Sequence, residues 1–265
     1  MKTYKQIFSE IKRPALIPFF VIGDPDFDTS LEIVKAAIDG GADVLELGIA
    51  FSDPIADGPT IQKADIRALN GGITVERAKE FIAKVKAYKD IPIGLLMYYN
   101  LIFQYGTEKF FADFAKAGTN SVLVADMSID DADEIYQPAR KAGLDTVFMV
   151  TPNTETERAK RIAEKSTGFI YTVSLLGVTG GRDTLSDMIK PLISKLKSIT
   201  DVPVCVGFGV STPAHAVELA KAGADGVIIG SRIVKIIEEN LSDKKSIPMK
   251  VKTFLTQIKE AITKA

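Results

Sequence analysis

Short apolar runs alternate with longer amphipathic stretches along almost the whole chain. The runs are nearly continuous in valine, isoleucine, leucine and phenylalanine, which is typical of parallel strands covered by helices. Eight such strands are predicted, at residues 15–23, 43–49, 91–99, 121–126, 146–151, 169–174, 203–209 and 226–230. Helical periodicity predicts helices between them, among them residues 31–38, 74–88, 130–141 and 213–221.

The joints between helices and strands repeat one plan. A glycine that accepts a left-handed turn ends the helix, and an aspartate or asparagine then leads into the next strand. The plan recurs at residues 36–44, 115–122, 140–147 and 220–227. This repetition predicts an α/β fold, a single (β/α)8 TIM barrel over residues 1–265. A doubly wound open sheet is the structural alternative, but no change in composition marks a second domain.

The start of the chain does not have the pattern of a targeting segment, because no apolar stretch precedes a small-residue cleavage site. Instead, Tyr4, Ile7, Phe8 and Ile11 recur at helical spacing. They predict an extra N-terminal helix that plugs one end of the core. The apolar runs of the chain are too short to span a bilayer, so a cytoplasmic protein is expected.

Composition argues against nucleic-acid, disulfide and metal sites. The chain has 33 lysines and arginines against 34 aspartates and glutamates, which argues against a nucleic-acid surface. One cysteine excludes a disulfide framework and a cysteine-rich metal site, and Cys205 is predicted to lie in the core. The one histidine, His215, is interpreted as a surface or helix-packing residue. No histidine or cysteine cluster has metal-ligand spacing, so no metal is predicted.

Glu46 is the first candidate for chemistry. Chemistry in a TIM barrel lies at the carboxyl ends of the strands, where the strand-to-helix loops form a mouth. Strand alternation places Val44, Glu46 and Gly48 on one face and the leucines between them on the helix-facing side, so Glu46 is predicted to point into the barrel. Burial there would raise its pKa toward neutrality, which suits an acid–base group. The alternative is a structural glutamate bound to a neighbouring backbone group or hydroxyl. The longest loops at the mouth are predicted at residues 51–74, 100–107 and 175–187.

Asp57 is the second candidate. Its loop leaves directly from the strand of Glu46 and can fold back across the same mouth. Two carboxylates converging from one unit form a proton donor and acceptor. Taken alone, an aspartate before glycine in a proline-rich loop is an ordinary turn residue, and Asp53 is a weaker alternative because it precedes Pro54.

Glycine-rich loops follow the seventh and eighth predicted strands. Free backbone N–H groups at residues 207–209, together with Gly230 and a helix start capped by Ser231, predict an anion cradle, the usual phosphate site of such barrels. The alternative is that these glycines only permit tight turns. Residues 177–183 contain three glycines and predict a lid, in which Thr179 meets Asp57 or substrate. Simple loop mobility is the competing interpretation of that segment.

Taken together, these motifs resemble one family. The chain is similar to the tryptophan synthase alpha chain in two neighbouring segments, LELG at residues 45–48 and FSDPIADGPTIQ at residues 51–62. The resemblance covers nearly the whole chain and implies a cytoplasmic lyase of tryptophan biosynthesis, which cleaves indole-3-glycerol phosphate to indole and glyceraldehyde 3-phosphate. This retro-aldol reaction requires protonation of indole C3, help at the indole N–H and removal of a hydroxyl proton. The resemblance also runs through residues 18–19, 23–25, 97–100, 123–126, 177–180, 207–209 and 230–231.

The resemblance also implies roles for residues. Glu46 matches the main acid–base residue, Asp57 its partner at the indole nitrogen, and Tyr171 a tyrosine close to that pair. Thr179 matches the lid threonine that meets the aspartate. The implied phosphate pocket is Gly180, Phe208, Gly209, Gly230 and Ser231, and the implied apolar indole pocket is Phe19, Ile61 and Tyr98.

A partner is implied as well. The alpha chain of the family works in an alpha2beta2 heterotetramer with the tryptophan synthase beta chain, which receives indole through a tunnel and contacts the loops after strands two and three. Pyridoxal phosphate is expected only in that beta chain, and no cofactor is expected in this one. Ala50 and Ser128 stand where proline is common, and Leu175-Leu176 where Arg-Ala is common. Ala50 bears on coupling to the partner, and the leucines bear on closure of the lid.

Other functions remain open. A stand-alone indole-3-glycerol-phosphate lyase would share the fold and the site and release free indole. A non-catalytic activator of the beta chain is a different class, but a scaffold does not need a buried carboxylate. Without the resemblance, a sugar-phosphate isomerase would be the natural hypothesis for such a barrel; the aromatic lining disfavours it.

Overall fold

A computed structural model of the chain describes residues 3–173, 185–207 and 209–265, with the backbone alone for residues 185–188. Its strands form one sheet in the order β5-β4-β3-β2-β1-β9-β8-β7-β6, and every neighbouring pair is parallel. The strands are β1 (Ala15–Val21), β2 (Leu45–Gly48), β3 (Ile93–Met97), β4 (Ser121–Val124), β5 (Asp145–Thr146), β6 (Phe148–Val150), β7 (Ile170–Thr172), β8 (Val204–Val206) and β9 (Gly226–Ile229).

The two edge strands are halves of one barrel strand. β5 pairs with β4, β6 pairs with β7, and Val147 joins them. The N–H of Val147 donates to the carbonyl of Val122 at 3.0 Å, so the ladder continues across the junction. The sheet is therefore an eight-stranded barrel, and the predicted TIM barrel is confirmed.

Helices follow the strands and cover the barrel, as the predicted alternation requires. They are α1 (Tyr4–Glu10), α2 (Phe27–Asp39), α3 (Pro59–Asn70), α4 (Val75–Tyr88), α5 (Tyr99–Tyr105), α6 (Thr107–Ala117), α7 (Asp133–Lys141), α8 (Thr156–Lys165), α9 (Leu185–Lys197), α10 (Pro213–Lys221), α11 (Ser231–Glu238) and α12 (Ile247–Thr263), with a 3₁₀ helix at Leu241–Ser246. None of the helices in the described part of the chain is long and apolar enough to span a membrane.

Two predicted loops are wrong in part, because each contains a helix. Residues 51–74 include α3, which begins at Pro59 and ends at Asn70, with Gly71 as its C-cap. Proline in the first turn pre-sets the helical φ, so the proline-rich pattern that suggested a loop also starts a helix. Residues 100–107 lie largely within α5 and the start of α6. Of the third predicted loop, residues 175–184 lie outside the described residues, and α9 begins at Leu185.

The core has an outer and an inner layer. The outer layer lies between strands and helices and includes Leu45, Leu47 and Ile49 from the second unit. Val44 packs in the inner layer, which confirms the predicted faces of this strand. The inner layer also contains the fully buried Cys205, as predicted.

The predicted N-terminal plug is confirmed. α1 places Tyr4 at the amino end of the barrel interior, where its hydroxyl lies 2.9 Å from the Ser121 hydroxyl. Its ring packs edge-on against Phe169 with 5.6 Å between centroids. A capping box between Thr3 and Gln6 starts the helix. The apolar face of α1 therefore closes one end of the barrel and leaves the other end for chemistry.

The repeated Asp/Asn position before the strands has a structural role. Its side chain accepts a hydrogen bond from the first N–H groups of the preceding barrel strand. The bonds are Leu16 N–H to Asp43 at 2.8 Å, Ile93 N–H to Asn120 at 3.0 Å and Val204 N–H to Asp225 at 2.8 Å. Each bond joins two neighbouring βα units at the amino end of the barrel, so the repeat seen in the sequence holds the register of the strands.

Candidate active site at the carboxyl ends of the strands

Glu46 lies in the middle of β2, in register with Phe19 on one neighbour and Gly94 on the other. Only 4% of the residue is exposed, and its Oε2 has no hydrogen-bond partner among the described residues. Burial, with a smaller contribution from the nearby Asp57 carboxylate, raises the pKa of Glu46 to about 8. The side chain is therefore a carboxylic acid at neutral pH that can give up its proton, as an acid–base group must.

Asp57 is brought back toward β2 by its loop, as predicted. The Tyr98 hydroxyl donates to Asp57 Oδ2 at 2.7 Å and accepts from the Ala56 N–H at 3.0 Å, so one phenol fixes two points of the loop. The side-chain amide of Gln62 donates a hydrogen bond to the Asp57 carbonyl oxygen at 2.8 Å. Burial raises the pKa of Asp57, and the Tyr98 hydrogen bond opposes that rise. Glu46 and Asp57 therefore differ in environment: among the described residues Glu46 Oε2 has no hydrogen-bond partner, whereas Asp57 accepts a hydrogen bond from a phenol.

Tyr171, in β7, is buried beside these carboxyl groups. Its hydroxyl donates to the Gly207 carbonyl at 3.4 Å. Burial and then the charges of Glu46 and Asp57 raise its pKa well above the ordinary value, so it stays a neutral phenol. A Cβ on Gly207 would lie 2.1 Å from the Tyr171 hydroxyl oxygen, so only glycine leaves room for this ring.

Phe19 presents its ring where the first, second and last barrel strands meet. A Cβ on Gly48 would lie 2.9 Å from Phe19 Cζ, and a Cβ on Gly230 would lie 3.1 Å from its Cδ1. The two glycines therefore make space for one aromatic ring. Ile61, in the first turn of α3, is buried, and Phe51 stacks on Tyr98 with 5.1 Å between ring centroids. These groups give the mouth a flat apolar lining.

A cavity of about 350 Å³ lies at the ends of β8 and β9. Gly209 has a φ of +79°, a left-handed conformation that glycine adopts without strain. The predicted cap by Ser231 is wrong, because Gly230 is the N-cap of α11 and Ser231 is its first helical residue, with no side-chain cap hydrogen bond. The first-turn N–H groups of α11 have no partner within the helix. Both ionisable side chains of the lining are cations, which suits an anion. The lining residues are Thr60, Gly207, Gly209, Val210, Ser211, Ile228, Gly230, Ser231, Arg232 and Lys235.

Three predicted site residues, Thr179, Gly180 and Phe208, lie outside the described residues. The structure brings the other members into two neighbouring groups at one end of the barrel. Glu46, Asp57, Tyr98 and Tyr171 form the titratable group, and Gly209, Gly230 and Ser231 lie on the anion cavity. Phe19 lies between the two groups. Its ring packs against Gly48, which follows Glu46 in β2, and against Gly230 of the anion cavity.

Comparison with known proteins is decisive here. Residues 6–263 match the family model described as the tryptophan synthase alpha chain. The chain belongs to the tryptophan synthase alpha chain family. Membership gives it the alpha-subunit role in tryptophan biosynthesis and the general class of a lyase.

The alpha chain of Methanothermobacter thermautotrophicus is 45% identical, with 98% of this chain and 96% of that protein covered. The alpha chain of Methanoregula boonei is 43% identical, with 98% of each covered. Among solved structures, the alpha subunit from Legionella pneumophila superposes with a TM-score of 0.92 at 30% identity over 100% of both chains. A chain of the Pyrococcus furiosus tryptophan synthase a2b2 complex superposes with a TM-score of 0.87 at 39% identity, covering 94% of this chain and 99% of that one.

A larger cavity of about 850 Å³ lies at the opposite, amino end of this alpha-chain barrel. α1 and the loops that enter the strands line it, with Lys12, Arg13 and Asp225 among its charged residues. None of the predicted site residues that the structure describes lines it. Size alone therefore does not single out the cavity at which the predicted site residues lie.

Sequence reasoning missed a buried carboxylate next to the site. Asp65 lies in α3 and is 5% exposed. Burial and then the Asp57 charge raise its pKa to about 7, against a hydrogen bond from the Phe51 backbone. Arg67 in the same helix donates to both oxygens of the buried Asp24, at 2.6 and 2.9 Å. Asp65 and Arg67 fix α3 beside the Asp57 loop. Because residues 51–74 were predicted to be a loop, the sequence did not indicate that these two side chains would be held in place by a helix.

Proposed function

We propose that the chain cleaves indole-3-glycerol phosphate to indole and glyceraldehyde 3-phosphate as the alpha subunit of a complex with the tryptophan synthase beta chain. The observation that carries the proposal is Glu46, a buried acid without a partner in the described chain, whose pKa is raised to about 8 next to Asp57. A general acid works best when its pKa lies near the working pH. The proposal takes the whole chain, residues 1–265, as one cytoplasmic domain without a cofactor of its own.

The proposed reaction needs one proton to move onto the indole ring and one to leave a hydroxyl. Protonated Glu46 gives its proton to indole C3, and the ring nitrogen then becomes a cationic imine that the Asp57 carboxylate stabilises by accepting the N–H. The Glu46 carboxylate next takes the proton of the hydroxyl on the adjacent side-chain carbon. The bond between that carbon and C3 breaks, its electron pair returns to the ring, and an aldehyde and indole leave without added water.

The remaining site residues orient the substrate in this proposal. Phe19, Ile61 and Tyr98 supply flat apolar surface for indole, and Tyr171 stays neutral beside the carboxyl pair. Gly209, Gly230 and Ser231 offer N–H groups to the phosphate, and Arg232 and Lys235 add positive charge to the same cavity. Thr179, Gly180 and Phe208 are proposed on the family resemblance alone, for lid closure and phosphate binding.

Exposed apolar side chains support the partner. Ile55 is 84% exposed in the loop after β2, Phe103 is 62% exposed in α5 after β3, and Ile66 is 58% exposed in α3. Ile55 and Ile66 line one surface cavity beside the Asp57 loop, and Phe103 follows the next strand at the same end of the barrel. Large exposed apolar groups mark interaction surfaces. This surface favours an alpha subunit over a stand-alone lyase. Pyridoxal phosphate would then be held by the beta chain.

The test is indole release from indole-3-glycerol phosphate by the purified chain, with and without the beta chain, beside Glu46→Gln. Slow release that rises strongly with the beta chain and disappears in the variant supports the proposal. Fast release without a partner would indicate a stand-alone lyase. If no indole forms under any condition, the chain is a non-catalytic activator and the proposed chemistry is wrong.

A further inference from the structure

The one histidine of the chain, His215, lies at the surface as predicted, against the loop of the anion cavity. The imidazole Nδ1 of His215 is 2.9 Å from the Gly209 carbonyl oxygen and 3.3 Å from the Ser211 hydroxyl. A carbonyl oxygen only accepts, so Nδ1 must carry a proton and donate it. The Ser211 N–H, 3.4 Å from the same nitrogen, is then the weaker contact, because it would need an unprotonated Nδ1.

The ring is held in this position by its own helix. His215 is in the first turn of α10, and its N–H donates to the Thr212 hydroxyl at 3.3 Å in an N-cap. His215 itself does not line the cavity, but Gly209, Val210 and Ser211 do. Any effect of His215 on a bound anion must therefore act through the loop.

The contact fixes the direction of one peptide group. In a planar trans peptide the C=O and the following N–H point to opposite sides, so a Gly209 carbonyl directed at α10 turns the Val210 N–H away from α10. Within residues 3–173, 185–207 and 209–265, that N–H has no hydrogen-bond partner. A free N–H group in the lining of a cavity with two cations is a donor for an anion.

We propose that His215 is a positioning residue for the phosphate group of the substrate: it locks the Gly209–Val210 peptide so that the Val210 N–H faces the anion. The inference rests on the proposed function, because the anion is the phosphate of that substrate. Gly209 has the backbone freedom to rotate this peptide. Without the histidine, the peptide can turn and place a carbonyl dipole where the N–H belongs, which repels phosphate.

The experiment compares two ligands that differ only in phosphate, indole-3-propanol phosphate and indole-3-propanol, by calorimetric titration of the full chain. The measured quantity is the ratio of their dissociation constants. His215→Ala is expected to reduce the preference for the phosphorylated ligand about ten- to a hundredfold, the range for one hydrogen bond to a charged group. His215→Asn is expected to restore the ratio to within about twofold, because its amide N–H₂ donates from nearly the same place.

Thr212→Ala is the matched control. It removes the cap of α10 but leaves the imidazole, so it is expected to lower the melting temperature without changing the ligand ratio. A His215→Ala protein with an unchanged ratio, or a Thr212→Ala protein with the same loss, would overturn the inference. A natural chain that does not prefer the phosphorylated ligand would instead contradict the proposed function and, with it, the premise of the inference.

Discussion

Two carboxylates three residues apart in the second βα unit have opposite environments. Asp43 precedes β2, and its carboxylate accepts four hydrogen bonds. Two come from the Arg13 guanidinium at 2.8 and 2.9 Å, one from the Leu16 N–H at 2.8 Å and one from the Lys259 ammonium at 2.7 Å. Burial raises the pKa of Asp43, but these bonds outweigh it, and the pKa falls below 3.8. Glu46, within the strand, has no described partner for Oε2, and its pKa rises to about 8.

The difference shows that hydrogen-bond partners decide which way the pKa of a largely buried acid moves. Desolvation acts in the same direction on both groups. At the amino end of the barrel, Asp43 joins the entry to β1, the strand β2 and α12, so it contributes to stability and stays ionised. Glu46 faces the interior, and no described cation pairs with it, so its proton is available for chemistry.

Glu46→Gln is expected to have the largest effect on activity. The amide keeps the shape of the side chain but cannot transfer a proton, so kcat should fall about 10²- to 10⁴-fold. Steady-state indole release with the beta chain present measures this. Glu164→Gln is the control and should retain full activity, because Glu164 is an exposed acid at the end of α8, where the chain returns to the amino end of the barrel. Glu46→Gln with more than about a tenth of the natural kcat would contradict the role of Glu46 as the general acid.

Asp43→Asn is expected to change stability and not chemistry. Removing the carboxylate leaves Arg13 and Lys259 without their partner and should lower the free energy of unfolding by about 3 kcal/mol. Urea unfolding measures the loss, and kcat per folded molecule should stay within about twofold of the natural value, because no catalytic group moves. A large loss of kcat in folded protein would show that the two ends of the barrel are coupled.

The same Glu46→Gln variant should be more stable than the natural chain, by an amount that depends on pH. An unfolded glutamate loses its proton near pH 4.5, but folded Glu46 keeps it to about pH 8. Between those values only the folded state holds the proton, so the natural chain loses stability as pH rises. The variant should gain about 2–3 kcal/mol at pH 7 and almost nothing at pH 4. Urea unfolding at the two pH values gives the difference, and an equal gain at both would contradict the raised pKa.

Tyr98→Phe should have the smallest effect, about tenfold on kcat, since it removes one hydrogen bond from Asp57 and one from the Ala56 N–H. The Tyr98 bond lowers the pKa of Asp57, so its loss raises that pKa and moves the acid limb of the pH–rate profile to higher pH. Tyr105→Phe is the matched control, because its hydroxyl also donates to an aspartate, Asp113 at 2.8 Å, in a contact between helices α5 and α6 that includes no predicted site residue. Equal effects of the two variants would remove Tyr98 from the site.

Much of the fold follows from the sequence because its signals are local. The apolar runs predict the eight barrel strands, and alternation within residues 44–49 places Glu46 inward, which the inner layer with Val44 confirms. Asp57 was predictable in the same way, since its loop begins where the strand of Glu46 ends. Neither inference requires contacts between distant parts of the chain.

The missed features depend on contacts between distant residues. The bond from Tyr98 to Asp57 joins positions 41 residues apart, and the pair of Asp24 with Arg67 joins positions 43 apart. The role of His215 depends on which face of α10 meets the glycine loop, and helical periodicity does not specify that for a polar residue. The helix α3 was hidden because proline and glycine mark both loops and helix ends.

The most direct measurement is a ¹³C NMR titration of the side-chain carboxyl groups of Glu46 and Asp43 in one sample of the folded chain, with Glu46→Gln and Asp43→Asn used to assign the two signals. The account predicts a midpoint near 8 for Glu46 and one below 3.8 for Asp43. A Glu46 midpoint near 4.5, the ordinary value for a glutamate, would show that the acid is solvated or paired, and the proposed acid–base chemistry would lose its physical basis.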